Sequence, residues 1–71
     1  MTEKQWDDEL AAALTGTDWV INWTTVMHRC SECSADVRDR IGRQSKKVEL
    51  SPDSFRTPQA RKAEILRQLS K

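Results

Sequence analysis

Near the start of the chain, Trp6, Leu10, Ala13 and Leu14 recur at the three-and-four spacing of one helix face. Thr2 stands where an N-cap belongs. Gln5, three positions on, supplies the other half of a capping box, and Glu3 complements the helix dipole in the first turn. Gly16 offers a left-handed stop. Together these predict a first helix over about residues 3–15.

The next stretch carries two patterns at once. Trp19, Ile21, Trp23, Thr25 and Met27 alternate along a segment rich in β-branched and aromatic residues, as in a half-buried strand. Val20, Trp23, Met27, Cys30, Ser34, Val37 and Ile41 also step by threes and fours up to Gly42, with Thr17 or Asp18 as cap. One long helix over 18–42 accounts for more residues with a single assumption, and is the preferred expectation. The alternative is a strand at 19–27 followed by a helix over 34–42.

Residues 43–56 read as a connector that can be mobile, with a short extended segment at 46–50 and a turn at Ser51-Pro52-Asp53-Ser54. Thr57-Pro58 is a helix start, with Thr57 as cap and Pro58 in the first helical position. The final helix is expected to run to about residue 70 with Ala63, Leu66 and Leu69 inward and Ile65 broadening that face. The expected architecture is therefore a single small domain over 1–71. It is mainly α, with three helices at about 3–15, 18–42 and 57–70. The alternative is α+β, with a strand at 19–27 pairing with 46–50.

Composition narrows the functions available. Seventy-one residues, 37% hydrophobic and 32% charged, make a body too small for a deep, shielded catalytic cleft. No run approaches the roughly 20 apolar residues of a membrane span. Asp7, Asp8 and Glu9 are consecutive on an exposed helix face, and Gly16 and Gly42 are isolated, with no phosphate-cradling loop. Catalysis is not expected. Met1-Thr2-Glu3-Lys4 lacks the apolar stretch of a secretory signal, so a cytoplasmic location with reduced thiols is expected.

The net charge of +1 conceals an asymmetry. Residues 1–18 sum to −4 and residues 19–71 to +5. The densest basic stretch, Arg38, Arg40, Arg43, Lys46 and Lys47, is a candidate surface for nascent RNA or DNA phosphate. The bland reading is a solvated face paired with the acidic segment. Trp6, Trp19 and Trp23 crowd the first third of the chain. A core role is expected for one or two of them, and any left at the surface would anchor a protein partner.

His28, Cys30 and Cys33 hint at half of a zinc site. Structural zinc wants four ligands, and the chain has one histidine and two cysteines. Small buried apolar thiols are the plainer expectation, with neither metal nor other cofactor. The function classes left open are a protein-binding regulator, a pure protein inhibitor, and a small nucleic-acid-binding domain, the last with zinc through His28, Cys30 and Cys33 as a variant.

The opening Met1-Thr2-Glu3-Lys4-Gln5-Trp6-Asp7-Asp8-Glu9-Leu10, with the overall size, resembles the small early regulators of phages that infect Xanthomonas. The resemblance implies a protein that binds bacterial RNA polymerase in the host cytoplasm. It would block promoter initiation and promote read-through of terminators, without chemistry. It spans the chain but has no signature motif, so it assigns no contact residue.

Overall fold

A computed structural model describes residues 1–27 and 32–70. Its elements are α1 (Glu3–Leu14), β1 (Trp19–Met27), β2 (Glu32–Asp39), β3 (Ser45–Leu50) and α2 (Pro58–Leu69). The three strands form one antiparallel sheet in the order β1-β2-β3. The architecture is α+β, and the expected long helix over 18–42 is replaced by two strands.

The physical reason lies in residues 32–39. Cys33, Ala35 and Val37 are buried while Glu32, Ser34, Asp36 and Arg38 turn outward, which is a strict period of two. The helical stripe had skipped Ala35 and included Ser34. In β1, five of nine residues are β-branched, which favours an extended chain over a helix. The strand at 19–27 of the alternative reading is present, but β2 lies between it and β3, so it does not pair with 46–50. Nor is 34–42 a helix. Gly42, read as a helix stop, instead takes its positive φ of 74° in the β2–β3 turn.

Both terminal helices match the sequence signals. At α1, Gln5 N–H donates to Thr2 Oγ1 at 3.2 Å, and Thr2 N–H donates to Gln5 Oε1 at 2.9 Å, closing the capping box. Gly16 follows the helix with φ of 82°. At α2, Ala60 N–H donates to Thr57 Oγ1 at 3.1 Å. Inward from α2 are Ile65 and Leu69, whereas Ala63 is exposed.

The two helices lie on one face of the sheet. Trp6, Leu10, Ala13 and Leu14 of α1 and Ile65 and Leu69 of α2 pack on Cys33, Ala35, Val37, Val48 and Leu50. Between the helices, Arg61 donates to Glu9 at 2.5 Å and to the Phe55 carbonyl at 3.0 Å. This pair joins the acidic first segment to the basic remainder. Among the described residues, the other face of the sheet carries no helix. No helix among the described residues is long and apolar enough to cross a membrane.

Candidate nucleic-acid interface

Strand register decides what the helix-free face presents. Arg40 N–H donates to the Asp18 carbonyl and Asp39 N–H to the Gln44 carbonyl, which sets the alternation of β2. Its even-numbered residues point their backbone groups to β1 and their side chains away from the helices. The pairings then build successive rows across the open face. Met27 lies beside Glu32, Thr25 beside Ser34 and Glu49, Trp23 beside Asp36 and Lys47, and Val20 beside Arg38 and Ser45.

A bulge makes this arrangement. Ile21 pairs with Val37 and Trp23 with Asp36, so Asn22 is an extra residue in β1. Trp19 and Ile21 therefore pack on the core side, while Trp23, Thr25 and Met27 face out. The Asn22 side-chain amide donates to Asp36 Oδ2 at 3.0 Å, which holds that carboxylate beside the indole. Trp23 is 47% exposed and Met27 is 50% exposed.

The face is electrically graded. Glu32 and Glu49 stand toward one end, and Arg38 toward the other. The β2–β3 turn continues that cationic end with exposed Arg40 and Arg43. Asp39 Oδ1 accepts from Arg43 N–H at 2.8 Å, so the carboxylate at the turn is held against the backbone. Ile41, 72% exposed, projects from the same turn. Lys47 reaches Glu49 at 3.3 Å in an exposed pair, an arrangement of little energetic consequence.

The basic stretch named from the sequence is thus divided. Arg38, Arg40, Arg43 and Lys47 share the open face and its turn. Lys46 points the other way, because neighbouring strand residues alternate faces. Its ammonium donates to the Leu69 carbonyl at 3.1 Å and lies 5.6 Å from the centre of the Trp19 ring. It fastens the C-terminal end of α2 to the sheet.

The tryptophans divide likewise. Trp6 is fully buried and donates through Nε1 to the Ser34 carbonyl, so it is a core residue and not a surface anchor. Trp19 is half-buried under Lys46. Trp23 alone of the three stands on the open face. Sequence reasoning missed Asn22 and Met27 as members of this face. Met27 belonged to the alternating series, but nothing in the sequence marks Asn22 as a bulge.

The zinc expectation falls mostly on His28 and Cys30, which lie outside the described residues. Cys33 is buried, and its thiol donates to Met1 Sδ at 3.6 Å. Burial pushes the Cys33 thiol above its ordinary pKa. The N-terminal ammonium opposes this, Glu9 adds to it, and Arg61 opposes it. That environment favours a neutral thiol over a metal-binding thiolate. Among the described residues, no group of three His, Cys, Asp or Glu side chains is placed to hold a metal ion.

No family model matches this chain, and no curated protein or solved structure does.

Proposed function

We propose that the protein is a small nucleic-acid-binding domain whose open sheet face takes a single strand by stacking. The observation that carries this reading is the half-exposed Trp23 on a helix-free sheet, with Asp36 beside it, Lys47 one strand beyond, and the Arg38 row next along the strands. An indole lying on a sheet surface offers any base a π-face, worth about 1–3 kcal/mol per stacked base. Phosphates then run over Arg38 toward Arg40 and Arg43, away from Glu32 and Glu49. Sequence selectivity is low, since phosphate contacts position a strand and base edges specify it. Binding involves no chemistry, and a cytoplasmic location goes with this role.

The zinc variant is not part of the proposal, because the Cys33 thiol is buried against Met1 Sδ in surroundings that favour its neutral form. The polymerase-regulator reading draws on residues 1–10. Thr2 and Gln5 are engaged there in the helix cap, and Trp6 and Leu10 in the core. Much of that likeness is accounted for by folding needs, and the nucleic-acid reading stands ahead of it.

The test is a tryptophan-fluorescence titration with an oligouridylate of about ten nucleotides at several salt concentrations. Quenching is expected, with Trp23→Ala abolishing most of the affinity while leaving the fold intact. Neutralising Arg38, Arg40 and Arg43 to Gln should lower the steepness of the log–log salt dependence by about 2. Unchanged binding by Trp23→Ala, or no binding by the parent chain, overturns the reading. Capture of bacterial RNA polymerase by the parent and the Trp23→Ala protein alike would return the regulator reading to the front.

A further inference from the structure

The two edges of the sheet are treated differently. At β3, Glu49 N–H donates to Gln68 Oε1 at 3.0 Å, and Gln68 Nε2 donates to the Glu49 carbonyl at 2.6 Å. The Gln68 side chain occupies the place of an added strand and closes that edge at Glu49. Gln68 is itself held by Glu64 Oε2 at 2.8 Å. Exposed edges invite pairing, and folded proteins usually blunt them with charge, proline or a cover.

Among the described residues, nothing closes the β1 edge in this way. Its nine residues, Trp19–Met27, include no charge, proline or glycine. By the alternation described above, Ile21, Thr24 and Val26 turn their backbone N–H and C=O groups away from β2. These groups meet no partner among the described residues. Trp19 N–H, by contrast, donates to Thr17 Oγ1 at 3.2 Å. The bulge at Asn22 perturbs the edge but leaves the five residues beyond it, Trp23 to Met27, in regular register.

Charge says what fits there. α1 packs along β1, and Thr24 Oγ1 donates to an Asp7 carboxylate oxygen, which puts Asp7 over this edge. Glu3 lies one helical turn earlier on the same side, and Asp18 immediately precedes the strand. Lys4 is the basic residue of α1. A second copy of this chain, pairing edge to edge, would bring two such acidic helices together. Where β1 begins, a shallow groove of about 360 Å³ is lined by Ala11, Leu14, Trp19, Val20, Ile21 and Arg40 among others, wide enough for an apolar side chain.

We infer that the β1 edge is a docking site for an extended, basic peptide segment of a protein partner, added to the sheet as a fourth strand. Main-chain hydrogen bonds from Ile21, Thr24 and Val26 supply the pairing. Asp7, Glu3 and Asp18 select lysine or arginine side chains, and the groove takes an apolar one. This surface meets the open face assigned above to nucleic acid at Val20 and Arg40, which line the groove as well, and is otherwise separate from it.

The test uses an acetylated peptide of about ten residues alternating lysine and valine, with a glutamate–valine counterpart as control. Amide exchange is followed by NMR on the full chain. Binding of the lysine peptide is expected to slow exchange at Ile21, Thr24 and Val26, and to fail when the peptide is N-methylated at alternate residues. The double variant Glu3→Gln, Asp7→Asn keeps an acceptor for Thr24 and should weaken binding about three- to tenfold. Equal binding of both peptides, or lysine-peptide binding that leaves those three amides unchanged, overturns the inference. Protection that grows with protein concentration in the absence of peptide would assign the edge to a second copy instead.

Discussion

The indole Nε1 of Trp6 donates to the main-chain carbonyl of Ser34 at 2.9 Å, tying the first helix to the central strand through a fully buried side chain. Trp6→Phe keeps most of the apolar body but removes the donor and part of the volume. A loss of about 1–3 kcal/mol is expected, and Trp6→Ala should cost about 3–5 kcal/mol. Urea denaturation followed by circular dichroism measures both.

Glu9 and Arg61 join the helices as a largely enclosed pair, with side chains 24% and 12% exposed. Such a pair lies between the surface and buried extremes, so a coupling of about 1–2 kcal/mol is expected from a double-mutant cycle. Arg61→Ala should cost more than Glu9→Ala, because Arg61 also holds the Phe55 carbonyl. Equal single-mutant costs with no coupling would show that the contact adds nothing.

Cys33 gives stability a pH dependence of definite sign. Burial raises its pKa in the folded state. As pH rises, the unfolded thiol ionises first, and the unfolded state gains. The contribution of the neutral thiol is complete below the free-thiol value of about 8.5 and is lost as pH climbs from there through the folded value. Urea midpoints measured from about pH 7 to 10 should fall more steeply for the parent chain than for Cys33→Ala.

Gln68→Ala should leave the β3 edge open at Glu49. The expected signs are faster hydrogen exchange at the Glu49 amide and a stability loss of about 1 kcal/mol. Self-association at high protein concentration should also rise, as read by sedimentation velocity.

The termini of this fold were legible because their signals are local. Thr2 with Gln5, Gly16, and Thr57 with Pro58 each act within a turn of the chain, and each does in the structure what its residue type favours. The middle was not legible in the same way. Trp23, Met27, Val37 and Ile41 satisfy a helical spacing that the chain does not use, and small Cys33 and Ala35 gave a weak alternation where the core needed it. Misreading 34–42 left 46–50 with β1 as its partner, although β3 pairs with β2. Of the candidate site, Arg38, Arg40, Arg43 and Trp23 could be named from the sequence. The diversion of Lys46 could not, because it depends on strand phase and on where α2 ends.

The bulge at Asn22 bears on how this chain tolerates deletion. Removing one residue from a regular strand turns over every side chain beyond the cut. Here the extra residue is already outside the count, since Ile21 and Trp23 oppose successive residues Val37 and Asp36. A chain lacking Asn22 would close its ladder without interruption, and all remaining residues of β1 would keep their orientation. What would go is the amide grip on Asp36 and the local coil of the strand. Shortening is therefore cheapest at a position that, in a linear view, sits amid a run of β-branched and aromatic residues.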